Sequence, residues 1–268
     1  GYHPAIIIGG LNPPVAEIRN RDDSPPAFFA ERRPMHARLS HPYLLLTLTT
    51  LFWAGNMVIG RGLREAVPPF TLAFWRWTIC LALTLPLALP HLKAQWPLLR
   101  RAWRPVVLLG LLGVGCFNTF AYLALQYTTA TNVLLLNSFI PVAIFALAWL
   151  VLGKRLSAFG SCGVVLSLAG VVAIVAHGEL ATLSTLSVNI GDLWMLAAVL
   201  VWALYTIGLQ WRPAGVDPML LLAAFTVVGL VPLIPAYAWE MAQGQSVRVS
   251  AASLAGIAYV GALPGFLG

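Results

Sequence analysis

The chain has 268 residues, of which 59% are hydrophobic and 9% charged, with a mean hydropathy of +0.83. Soluble domains carry about 25% charged residues, so this composition excludes a water-solvated globule and implies lipid as the solvent. The net charge of +7 does not imply nucleic-acid binding, because the basic residues fall in short segments between apolar runs and form no continuous patch or stacking platform.

Residues 1–42 read as a disordered N-terminal extension. They are rich in proline (Pro4, Pro13, Pro14, Pro25, Pro26, Pro34) and lack the apolar core of a signal peptide. Met35, just before the first long apolar run, is a candidate true start.

A hydrocarbon core of ~30 Å takes roughly 20 apolar helical residues. Eight runs meet or approach that length: 43–60, 70–89, 105–126, 131–152, 159–176, 191–209, 218–239 and 253–268. Their residues do not alternate as barrel strands would, so the fold class is an all-α polytopic membrane protein. Twelve basic residues fall on the side of the N-terminus: Arg19, Arg21, Arg32, Arg33, Arg38, Lys93, Arg100, Arg101, Arg104, Lys154, Arg155 and Arg212. Three fall opposite: Arg61, Arg64 and Arg248. The bias places the N-terminus in the cytoplasm. Cys80, Cys116 and Cys162 lie inside apolar runs at no metal-ligand spacing and read as small buried hydrophobes.

The chain repeats itself at an offset of 149 residues. Trp53-Ala54 falls on Trp202-Ala203, Pro69 on Pro218 and Pro86 on Pro235. The unit holds five helices, an odd number, so the second copy enters the membrane from the other side. That is an inverted repeat, a common plan of secondary transporters. The first unit covers 43–176. The second covers 190–268 and is incomplete, with eight helices present of an expected ten.

Several segments resemble the EamA-type family of the drug/metabolite transporter superfamily. They are Leu51-Phe52-Trp53-Ala54-Gly55-Asn56, Phe74-Trp75-Arg76-Trp77, the run from Ala121 to Ala130, Ile140-Pro141, and Gly191-Asp192-Leu193 with Trp202-Ala203-Leu204-Tyr205. Lys154 stands where the family usually shows glutamate. The resemblance implies ten helices in the inner membrane and movement of small metabolites, often outward.

Polar groups inside a membrane require a partner or a function. Arg76 lies two turns inside the second run, either to contact an anionic or carbonyl group of a substrate or to snorkel to the headgroups. Trp53 and Asn56 share one helix face, as a cavity wall or a packing contact. Asn118, Tyr122 and Gln126 form a polar stripe expected to avoid lipid. Pro141 lacks the N–H that would bond the Asn137 carbonyl, which marks a kink and a polar site beside an amide. Trp202 and Tyr205 repeat the positions of Trp53 and Asn56 in the second unit. The substrate-binding candidates are therefore Trp53, Asn56, Arg76, Asn118, Tyr122, Asn137, Trp202 and Tyr205. No acid is expected deep in a span, Glu240 being placed at a helix end. Small residues on the fifth run (Gly163, Ser167, Ala169, Ala173) suit close packing or a homodimer.

The expected partners are a small-molecule substrate and the lipid bilayer, with no cofactor and no metal. A secondary exporter working by alternating access is the leading reading. A polytopic membrane enzyme or a non-transporting scaffold is the alternative. The enzyme would need a catalytic cluster, whereas His3, His36, His41, His91 and His177 are scattered.

Overall fold

The computed structural model describes residues 42–153, 157–175 and 189–267. The proposed extension with Met35, and the Lys154–Arg155 pair, lie outside them. The chain divides into two units, 1–45 and 46–268. Only the opening of the first helix is described for the former, and all contacts below belong to the latter.

All regular structure among the described residues is helical, as the hydropathy pattern requires. The elements are α1 (Pro42–Gly62), α2 (Pro69–Arg101), α3 (Trp103–Gly110), α4 (Phe117–Tyr127), α5 (Ala130–Asn137), α6 (Ile140–Leu152), α7 (Ala158–Val175), α8 (Ile190–Gly208), α9 (Pro218–Ala242) and α10 (Ala251–Gly261). Among the described residues, six helical stretches are long and apolar enough to cross a membrane: Tyr43–Gly62, Pro69–Arg101, Trp103–Tyr127, Ala130–Leu152, Ile190–Trp211 and Pro218–Ala242. The 18-residue α7 and the shorter apolar stretch Ala251–Leu267 occupy the other two expected runs. The chain is a polytopic helical membrane protein.

Two stretches differ from the sequence expectation. α2 does not end near Leu89 but continues to Arg101, giving 33 residues with Pro86, Pro90 and Pro97 inside it. At 1.5 Å per residue it is about 50 Å long, and it takes Lys93, Arg100 and Arg101 out of the expected loop. Spacings of four and seven residues keep the three prolines on one helix face. The missing N–H groups therefore fall on one side, where they permit a bend rather than a break. The fourth run is not one kinked helix. It is α5 and α6, separated by Ser138 and Phe139, and Pro141 sits in the first turn of α6. There its absent N–H lacks an intrahelical partner in any case.

α2 packs along α9, and the two run antiparallel. Near the start of α2, the Glu240 carboxylate of α9 accepts from Phe70 N (2.9 Å), Thr71 N (2.7 Å) and Thr71 Oγ1 (2.8 Å). At the other end, Asp217 N-caps α9 through Met219 N and Leu220 N, and its own N–H donates to Gln95 Oε1 of α2 at 2.7 Å. His91 Nδ1 lies 3.9 Å from the same Asp217 carboxylate.

A π-helical turn, Leu111–Cys116, joins α3 to α4, and a second, Ala262–Leu267, follows α10. The 149-residue offset overlays these two turns on four shared positions. Glycines bring the first against α9. A Cβ on Gly110 would lie 2.8 Å from the Phe225 carbonyl oxygen, and one on Gly229 would lie 2.3 Å from Val114 Cγ1. The second packs on α2, where a Cβ on Gly261 would meet Ile79 Cβ at 2.7 Å.

Candidate functional site

Helices α1, α2, α4, α5 and α8 converge with the two π turns around a cavity of about 460 Å³. Seven of the eight sequence-selected residues line it: Trp53, Asn56, Arg76, Asn118, Asn137, Trp202 and Tyr205. Tyr122 is not at the wall. It is buried directly behind it, bonded to two of the wall residues.

Arg76 is the electrostatic centre. It is 4% exposed, which removes the snorkelling alternative, since a snorkelled head would be open to headgroups or water. Its Nη1 donates to Asn56 Oδ1 at 2.6 Å and to Tyr122 Oη at 3.3 Å. Its Nη2 donates to the Pro264 carbonyl, in the second π turn, at 3.2 Å. Tyr122 Oη in turn donates to Asn56 Oδ1 at 2.6 Å. On insertion scales an arginine at the centre of a membrane helix costs roughly 2.5–3.5 kcal/mol, and these three oxygens offset that cost.

The oxygens are neutral, and no carboxylate among the described residues forms an ion pair with Arg76. A guanidinium has five N–H groups, and Nε–H finds no acceptor. Four buried side-chain polar atoms lack a partner among the described residues: Arg76 Nε, Trp77 Nε1, Asn137 Oδ1 and Asp192 Oδ1. The first three belong to cavity-lining residues. Such groups are costly when nothing meets them.

The apolar wall is aromatic. Trp53 of α1 meets Trp202 of α8 edge to face, with centroids 5.8 Å apart. Trp202 also contacts Phe117 at 4.5 Å and Tyr205 at 5.1 Å. Gly113 has no side chain to displace the Tyr205 ring, which a Cβ would approach to 2.6 Å. Sequence reasoning did not select Phe117, Trp77 or Pro264. Phe117 falls one position before the Asn118 stripe, and the Pro264 carbonyl is backbone, which carries no residue-type signal.

Helix ends frame the site. The Arg61 guanidinium of α1 donates to the last carbonyls of α4, Leu125 O and Gln126 O, where a cation complements the helix dipole. Asn189 and Asp192 form a reciprocal capping box at the start of α8. Gly191 lets that start approach the end of α4, since a Cβ there would lie 2.7 Å from the Ala124 carbonyl oxygen.

A bundle of apolar helices around a cavity lined by a buried arginine suits a membrane transporter. The chain belongs to the EamA-like transporter family, whose model matches residues 41–176. It is 36% identical over 206 residues to an uncharacterized transporter of Archaeoglobus fulgidus, covering 73% of this chain and 66% of the relative. It is 25% identical over 193 residues to the uncharacterized transporter YyaM of Bacillus subtilis, covering 72% and 63%. It is 27% identical over 196 residues to the uncharacterized transporter YvbV of the same species, covering 73% and 62%. The chain thus spans just under two thirds of the length of these three relatives.

Proposed function

We propose that this chain carries the binding site of a secondary transporter that exports small organic solutes by alternating access. The observation that carries the reading is Arg76, a buried cation without a carboxylate partner among the described residues, lining a cavity with Trp53, Trp202, Asn118 and Asn137. A fixed positive charge in a site of low dielectric favours an anionic or strongly polar carbonyl group. The tryptophan pair offers a flat apolar surface to the rest of the solute.

Alternating access follows from the two-unit plan. The 149-residue offset, the antiparallel α2 and α9, and the overlaid π turns all support an inverted repeat of 43–176 and 190–268. A site between two such units can open first to one side and then to the other as the units rock. The basic bias supports a cytoplasmic N-terminus, and the outward direction is the part of the reading that the test below decides.

The test is to express the full-length gene in a bacterial host and compare extracellular small molecules with those of an Arg76→Ala strain at matched membrane levels. A compound enriched outside only with the unmutated protein supports export and names the solute. Identical profiles across growth conditions would overturn the exporter reading.

A further inference from the structure

A second cavity, of about 480 Å³, lies away from the Arg76 site between α2, α3 and α9. Its wall is almost wholly apolar side chain, including Leu89, Leu92, Val106, Leu220 and Val227. On α2 the lining residues run along one face from Leu85 to Arg100. That is fifteen residues of rise, about 22 Å, longer than one leaflet of hydrocarbon at roughly 15 Å. Exposed Trp96 and Trp103 flank the Arg100 end, and Arg101 and Arg104 follow within four residues.

The 149-residue offset explains why this space is open. It pairs Ala88 with Tyr237 and Ala223 with Phe74. Phe74 and Tyr237 stack between α2 and α9, with centroids 4.7 Å apart and planes within 6°. At the corresponding place Ala88 and Ala223, both buried, line the cavity instead. One end of the α2–α9 pair holds two rings, one from each unit, and the corresponding end holds two alanines and is open.

We propose that this cavity is a binding site for an anionic phospholipid, one acyl chain filling the groove between Ala88 and Ala223 and the headgroup phosphate meeting Arg100. An acyl chain matches an apolar groove of this length. Tryptophans favour headgroup depth, and clustered arginines beside apolar helices attract anionic lipid.

The experiment uses the full-length protein in nanodiscs of phosphatidylcholine with and without phosphatidylglycerol, followed by extraction and native mass spectrometry. The wild type is expected to retain phosphatidylglycerol over phosphatidylcholine. The double variant Ala88→Tyr/Ala223→Phe, which copies the ring pair at the other end of the α2–α9 pair, is expected to lose that retention about tenfold. Arg100→Gln, whose side chain is exposed and outside the packed interior, is expected to lose the preference for phosphatidylglycerol while still retaining some lipid. Equal retention of both lipids by the wild type, or unchanged selective retention in both variants, would overturn the proposal. The readout is lipid retention, independent of solute transport, so it stands or falls separately from the exporter reading.

Discussion

Trp53 and Trp202 occupy corresponding positions 149 residues apart in the sequence and touch each other in the structure, ring edge against ring face, at 5.8 Å and an interplanar angle of 86°. Edge-to-face pairs contribute about 0.5–1.5 kcal/mol beyond the area they bury. A double-mutant cycle of Trp53→Ala and Trp202→Ala, read by thermal unfolding in detergent, should return a coupling in that range. Additive single effects would mean that the two rings act on the bundle independently.

Arg76→Ala removes the cation while leaving the Tyr122–Asn56 hydrogen bond in place. The expected outcome is a loss of transport of about tenfold or more, since a hydrogen bond to a charged group contributes roughly 1.5–3 kcal/mol. Arg76→Lys keeps the charge but cannot span Asn56 and Pro264 with a planar fork, so it should recover only part of the activity. Transport assays at matched membrane abundance check both.

Glu240 is 1% exposed and accepts three hydrogen bonds at the first turn of α2. Glu240→Ala leaves the Phe70 and Thr71 donors without that acceptor and should destabilise the protein by about 2–4 kcal/mol. Glu240→Gln keeps one accepting oxygen and should cost less. Unfolding in detergent micelles measures the difference, and equal stability of the two variants would contradict the cap.

Gly229→Ala places a methyl group where Val114 Cγ1 is 2.3 Å away and the Gly110 carbonyl oxygen 2.8 Å away. The Gly110 backbone cannot step aside, so α9 must move off the first π turn, at a cost of about 1–3 kcal/mol. Gly163→Ala meets nothing within 4 Å and should be neutral or slightly stabilising. The same unfolding assay compares the pair.

The helical class was legible because apolar runs of span length state it directly. The cavity wall was legible too, because an amide or guanidinium inside such a run must turn away from lipid. The residues that argument selects, Asn56, Arg76, Asn118 and Asn137, line the cavity, but it could not place Tyr122 behind the wall. The length of α2 was not legible. Proline argues for a boundary, and only the common face of Pro86, Pro90 and Pro97 lets the helix continue. Glu240 was read as an end residue because its partners, Phe70 and Thr71, are distant in sequence. The break at Ser138–Phe139 lies between Asn137 and Pro141, which the sequence marks as a kink within one helix rather than as a boundary between two.

The cap on α2 also has a consequence in time. The acceptor for the Phe70 and Thr71 amides lies 170 and 169 residues downstream. At typical translation rates of about 5–20 residues per second, Glu240 leaves the ribosome roughly 10–30 s after α2 does. During that interval the first turn of α2 must find its hydrogen bonds in water, headgroups or insertion machinery. The helix that crosses early is thus finished late, and a nascent chain stalled before residue 240 would expose a frayed α2 terminus to proteases that the completed chain keeps out.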